Sequence, residues 1–397
     1  MPEEITRTSR HPVQMLDLGR EFSLIRNEVL QALETVCESQ RFILGPEVER
    51  FEHAAAQACG VPHAAGCASG TDALWLALAA LNIGPGGAVL TSPFSFFATV
   101  SSILRAGAVP ILADIDPATF NLSAASVASQ MGLAPSGASR IAAVMPVHLY
   151  GQCADMDAFH ALAAQHDLKI VEDAAQAFGA SFNGIRAGGL GDAAAFSFYP
   201  TKNLSAFGDA GLVTTRSAAT DERVRMLRTH GMRRRYFHDE IGWNSRMDTL
   251  QAAVLEVKLR RLDAGNARRR TLAALYDTRL KDTGLTAAST QSTKSTKDGI
   301  VLPYRDPRAE HIFHQYVIRA PRRDDLRAFL TAKGIGTEIY YPLPLHLQES
   351  LAFLNYQPGD FPESERAAAE VLALPIYPEL RDDEVETVVD AIRRFYS

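Results

Sequence analysis

From His63 to Thr214 the chain alternates short apolar runs with helical stretches, and no other feature constrains its fold as strongly. Val89 to Thr91, Val109 to Ala113, Ile141 to Val147, Lys169 to Glu172, Ala193 to Phe198 and Leu212 to Thr214 each read as a buried strand. Asp72 to Leu81 and Met156 to His166 read as helices between them. Such alternation predicts an α/β architecture, a mostly parallel central sheet with helices on both faces. Ligands of a sheet of this kind bind outside the carboxyl ends of its strands, so residues just past a strand are the ones to examine for chemistry.

The flanks read differently. Phe22, Ile25, Val29, Leu33 and Val36 recur at spacings of three and four in an amphipathic helix over 20 to 40, and Glu47 to Ala58 forms a second helix. A long helix from Met247 to Leu262 leads into an arginine-rich helix beginning near Ala267. Beyond it, strand-like His311 to Arg319, helix Asp324 to Lys333 and a last helix from Asp382 to Phe395 suggest a smaller α+β domain. With 397 residues, and about 150 residues per domain, two domains are expected. The large one takes residues 1–250, including the N-terminal helical segment, and the small one residues 251–397. Residues 286–299 are a polar loop to which no chemistry is assigned.

Composition excludes several classes. Hydrophobic residues at 47% and charged residues at 22% give the balance of a soluble globular enzyme. A net charge of -6 offers nothing to a nucleic acid. The most apolar run, Ala73 to Leu81, falls far short of the roughly 18 residues a membrane span needs. The polar start lacks the pattern of a secretory signal, which points to a cytoplasmic protein. Cys37, Cys59, Cys67 and Cys153 form no Cys-x-x-Cys pair, so reduced thiols and no metal are expected.

Four pieces could act together. Lys202 follows the run ending at Phe198, at a strand's exit; a lysine there loses hydration of its charged form and becomes nucleophilic. An ordinary surface lysine is the commoner reading of any one lysine. Ser69-Gly70-Thr71-Asp72 precedes an apolar helix, where a glycine, a hydroxyl and unpaired N–H groups suit a phosphate, although plain helix capping is commoner. Asp173 stands past another strand and could keep a pyridine nitrogen protonated; alone it is more often a turn residue, and Glu172 points the other way. Phe96, in the turn Ser92 to Phe96, could stack on a planar ring, against the default of a core phenylalanine. Ser197, five residues before Lys202, could add a phosphate bond.

The chain resembles the sugar aminotransferases of the DegT/DnrJ/EryC1/StrS family, pyridoxal-phosphate enzymes of aminotransferase fold type I. The resemblance rests on Arg41-Phe42-Ile43-Leu44-Gly45, Ser69-Gly70-Thr71-Asp72-Ala73-Leu74, Pro146-Val147-His148-Leu149-Tyr150-Gly151, Glu172-Asp173-Ala174-Ala175-Gln176 and Phe196-Ser197-Phe198-Tyr199-Pro200-Thr201-Lys202-Asn203-Leu204. It implies pyridoxal 5'-phosphate as cofactor, Lys202 as the Schiff-base lysine, Asp173 opposite the pyridine nitrogen, Phe96 on the ring and Gln176 near its phenolic oxygen. Gly70, Thr71 and Ser197 would hold the phosphate. Gly242-Trp243-Asn244-Ser245-Arg246 resembles a loop that enters the neighbouring subunit's site, with Asn244 reaching the phosphate, so a homodimer with shared active sites is implied.

Lysine at position 202, where the family's dehydratases carry histidine, favours amino transfer. The donor implied is glutamate and the acceptor a nucleotide-linked keto sugar. The segments Arg228 to Tyr236 and Gly242 to Arg246 look most like members acting at C3 of a dTDP-3-keto-6-deoxyhexose. UDP- or GDP-4-keto sugars and keto-inositols are alternatives, and a non-catalytic regulator that binds the cofactor or a nucleotide sugar is the rival from another class. Arg233, His314, Tyr341 and His346 are candidate substrate contacts; a solvated loop or a structural role explains each as well. Ala210 stands where the family commonly has glycine, which raises the question of a positive φ there.

Overall fold

The computed structural model describes residues 12–131, 138, 140–287, 296 and 299–397. Seven strands form the central sheet. In order across it they are His63–Cys67, Gly211–Thr215, Ala193–Ser197, Lys169–Asp173, Arg140–Met145, Gly87–Thr91 and Val109–Leu112. Gly211–Thr215 pairs antiparallel with both of its neighbours, and every other pairing is parallel. The expected α/β fold with a mostly parallel sheet is therefore present.

Successive strand residues supply opposite cores, as the period of two requires. Ala193, Ala195, Val171, Ala143, Met145 and Val213 face the Gly70–Ala80 helix through Leu74, Ala77 and Leu78. Ala194, Phe196, Ile170, Val144 and Leu212 face the other way, onto Phe51, Ala55 and Phe159. Burial on both sides explains why these strands read as unbroken apolar runs. Alanines in Ala193–Ser197 leave room for the buried, almost wholly apolar helix beneath.

The His63–Cys67 strand carries Ala, Ala, Gly and Cys rather than β-branched residues, and sequence reading omits it. The proposed helix over Met247 to Leu262 is instead Thr249–Leu259, and the arginine-rich helix starts earlier, at Leu262, running to Asp282. Val254 and Val257 of the first pack on Ile25 and Val29 of the Leu18–Ser39 helix. The expected division at residue 250 falls inside Thr249–Leu259.

In the C-terminal part, Tyr316–Arg319 pairs antiparallel with Val371–Leu374 beneath the Arg323–Ala332 and Asp382–Tyr396 helices. Leu326, Leu372, Val388 and Ile392 share a core there with Leu272 and Tyr276 of the long arginine-rich helix. The strand is shorter than His311 to Arg319. Its first residues turn away through Phe313, at φ 48°, and bond the Tyr150–Gly151 turn instead, Ile312 N–H to Gly151 O at 3.0 Å and Gln315 N–H to Tyr150 O at 3.3 Å. Most of the polar loop at 286–299, and residues 1–11, lie outside the described residues. Among the described residues no helix is long and apolar enough to cross a membrane.

Candidate active site

The strands ending at Cys67, Thr91, Met145, Asp173 and Ser197 run in one direction, so the loops after them meet at a single edge of the sheet. Gly70 lies against Ser197 at that edge: a methyl group added to Gly70 would sit 2.5 Å from Ser197 Cβ. One added to Gly211 would lie 2.2 Å from Ser69 O. Only glycine allows the two loops to close in this way. Ser69 caps the helix, its Oγ accepting from Asp72 N at 3.1 Å. Capping thus falls to Ser69, and the Thr71 hydroxyl has no hydrogen-bond partner among the described residues. Gly70, Thr71 and Ser197 form a cradle at a helix N-terminus suited to a phosphate.

Asp173 ends its strand and is only 4% exposed. Burial raises its pKa above the ordinary carboxylate value, against the Thr99 hydroxyl, the Ala175 amide and the Lys202 charge. Lys202 is half-buried in the turn closed by its own N–H on Tyr199 O at 2.8 Å. Burial pulls its pKa down to about 8, with Asp173 opposing. A protein that pays to desolvate an amine beside a carboxylate holds a nucleophile ready near neutral pH. Glu172 faces away, as the strand's alternation requires. Its carboxylate accepts from the N–H groups of Gly188, Leu190 and Gly191, each at 2.8 Å, and from His148 Nε2 at 3.1 Å. Ala154 N–H donates to His148 Nδ1, which leaves the ring proton on Nε2.

Phe96 is 60% exposed and so is not a core residue; its ring centroid lies 6.3 Å from that of Tyr341. Gln176 joins Tyr341 to the site: its Nε2 donates to the phenol oxygen at 3.1 Å, and its Oε1 accepts from Tyr150 N at 2.7 Å. Burial and the Asp173 charge raise the Tyr341 pKa, so the phenol keeps its proton. His314 is buried, and its pKa is well below the ordinary value because of burial, with Lys202 and Arg269 adding to the effect. Its Nδ1 meets Asn203 Oδ1 at 3.1 Å. The structure therefore brings Lys202, Asp173, Phe96, Gln176, Tyr341 and His314 together with the cradle.

Asn244, Arg233 and His346 do not join them within this chain. Asn244 is exposed and accepts from Arg246 Nε at 3.1 Å. Arg233 is exposed in the Met232–Arg234 hairpin strand and pairs with Glu222 and Asp239. His346 is buried with Nε2 3.0 Å from Glu365 and its ring against Phe361. Ala210 keeps a negative φ, so its substitution for glycine costs no strain. Two side chains at the site escape sequence reading, Thr99 and Asn203; the four-residue spacing of hydroxyls at Ser95 and Thr99 was the available signal for the first.

The model of the DegT/DnrJ/EryC1/StrS aminotransferase family matches residues 23–393. The chain belongs to this family. A pleiotropic regulatory protein of Geobacillus stearothermophilus is 45% identical over 384 residues, 97% of this chain and 98% of that one. A dTDP-3-amino-3,4,6-trideoxy-alpha-D-glucose transaminase of Streptomyces venezuelae is 41% identical over 390 residues, 98% of each. The crystal structure of S. venezuelae DesV in complex with a ketimine intermediate superposes with a TM-score of 0.90 at 42% identity, covering 97% of this chain and 99% of that one.

The cofactor of this aminotransferase is pyridoxal 5'-phosphate, and the residues present fit it. Gly70 lets the helix N-terminus close on Ser197, the Thr71 hydroxyl has no hydrogen-bond partner among the described residues, Asp173 is a buried carboxylate, and Lys202 is a desolvated amine. When bound, the cofactor's ring withdraws electrons from the carbon that carries the transferred nitrogen.

Proposed function

We propose that the protein transfers an amino group from L-glutamate to C3 of a dTDP-3-keto-6-deoxyhexose, and that Lys202 moves the proton this exchange requires. The observation that carries the amino-transfer reading is the Lys202 amine, held near pKa 8 beside Asp173. A general base works best when its pKa lies near the operating pH. In this reading Asp173 meets the pyridine nitrogen, Phe96 covers one face of the ring, and Gln176 with Tyr341 lies on the substrate side. Gly70, Thr71 and Ser197 bind the phosphate. His314 contributes an uncharged ring to the acceptor's surroundings, Arg233 is available to a substrate diphosphate, and His346 supports the wall of the small domain. The likeness to a transaminase named for a dTDP-3-amino sugar supports the nucleotide and the carbon.

The active unit in this reading is a homodimer, with the partner subunit's Asn244 completing the phosphate site. Exposed Phe97, Phe207, Ile241 and Trp243 supply apolar surface for such an interface. One experiment tests the acceptor: the enzyme is loaded from L-[15N]glutamate and offered dTDP-, UDP- and GDP-linked keto sugars and keto-inositols. Mass spectrometry should find 15N on the dTDP-3-keto sugar. Label on a UDP- or GDP-4-keto sugar or an inositol contradicts the assignment of acceptor. The likeness to a protein named as a regulator supports a second reading, binding without turnover; label on none of the acceptors, with the cofactor bound, is its expected result.

A further inference from the structure

Asp173 is held by a chain of hydroxyls whose direction can be worked out. Thr99 is fully buried in the first turn of the Ala98–Arg105 helix, and its Oγ1 donates to Asp173 Oδ2 at 2.7 Å. Ser95 Oγ lies 2.7 Å from the same Thr99 oxygen. A hydroxyl has one proton. Thr99 spends its proton on Asp173, so Ser95 must donate to Thr99, and two dipoles in series point at one carboxylate oxygen. The other oxygen, Oδ1, receives only the Ala175 N–H, at 3.3 Å, among the described residues.

We propose that Thr99 is a positioning residue for amino transfer: with Ser95 behind it, it keeps the Asp173 carboxylate ionised and turned to meet a pyridine nitrogen. This rests on the reading of the site as a pyridoxal-phosphate site. Asp173 is buried, and burial favours its neutral form, which could not hold a proton on a pyridine nitrogen by charge. Among the groups that favour the ionised form, the Thr99 hydroxyl contributes most, ahead of the Ala175 amide and the charge of Lys202. Tyr341 also faces Asp173, but as a protonated phenol. Hydrogen bonds in series polarise one another, so Ser95 strengthens the bond that Thr99 makes. The same short segment carries Phe96 between the two hydroxyls, and Thr99 N–H bonds Phe96 O at 3.1 Å. One turn thus sets both the carboxylate and the aromatic ring.

The test uses pyridoxal phosphate labelled with 15N in its ring, bound to the full-length protein and followed by NMR from pH 6 to 9. Thr99→Val keeps the side chain's shape and removes the proton donor. It should lower the ratio of protonated to neutral ring nitrogen about ten-fold, the scale of a lost hydrogen bond to a charged group. Ser95→Ala should move it in the same direction by less, and Thr99→Ser should restore the wild-type signal. A ring-nitrogen titration in Thr99→Val identical to wild type overturns the proposal, as does a Thr99→Ser variant no better than Thr99→Val. Wild-type protein that takes up no pyridoxal phosphate contradicts the underlying cofactor reading instead, and the proposal with it.

Discussion

Asn203 Oδ1 lies 3.1 Å from His314 Nδ1, so the residue next to Lys202 is tied to the segment that leads into the Tyr316–Arg319 strand. The amide's orientation is fixed by its other end, Nδ2 donating to Asn266 Oδ1 at 2.8 Å. His314 is uncharged, so its Nδ1 carries the proton and donates. Buried Arg269 holds the same segment by donating to Phe313 O and Ile376 O at 3.2 and 2.8 Å. The lysine turn, the arginine-rich helix and the backbone at Phe313 and Ile376 therefore share one polar junction.

Replacing Asn203 with leucine leaves the His314 donor and the Asn266 acceptor without partners. The expected loss is about 2 kcal/mol of stability, the scale of unsatisfied buried polar groups. Urea denaturation of the protein without added cofactor measures it. A midpoint equal to that of wild type would show that the junction carries no energy.

The pKa of Lys202 near 8 makes its reactivity distinctive. In trace reductive methylation with formaldehyde, the labelling of Lys202 should rise with a midpoint near pH 8, below the about 10.4 of a lysine in a model peptide. Stability has a matching sign. The unfolded chain binds the Lys202 proton more tightly than the folded one, so this group's contribution to stability rises from pH 8 towards the ordinary lysine value and is flat below pH 8. A Lys202 labelling profile identical to that of a lysine in a model peptide would contradict the desolvated amine.

Gly70→Ala places a methyl group 2.5 Å from Ser197 Cβ. The two loops must separate, at a cost of about 1–3 kcal/mol for overpacking, and the phosphate cradle should loosen with them. Fluorescence titration should show pyridoxal phosphate affinity falling about ten-fold or more, a loss of roughly 1.4 kcal/mol. Unchanged affinity would place the phosphate elsewhere.

The sheet and its ligand-binding edge were legible because each central strand is buried on both faces, so its residues are apolar without interruption. His63–Cys67 was not, since a strand of small residues lacks that signal. The break between the Thr249–Leu259 and Leu262–Asp282 helices, read between Leu262 and Ala267, falls instead at Arg260 and Arg261, because periodicity does not locate a short kink between two helices. At the site, Lys202, Asp173 and Gly70 stood out by their position after strands. Thr99 and Asn203 did not, because a hydroxyl or an amide is informative only once its partner is known, and their partners lie 74 and 111 residues away in sequence.

The central claim is that Lys202 is the amine that engages the cofactor. Incubation with pyridoxal phosphate, reduction with borohydride and peptide mass mapping tests it directly. The account predicts one phosphopyridoxyl group per chain, on the peptide containing Lys202, and none on that peptide when Lys202→Ala protein is treated the same way. A group fixed on another lysine, or wild-type protein that carries none, would contradict it.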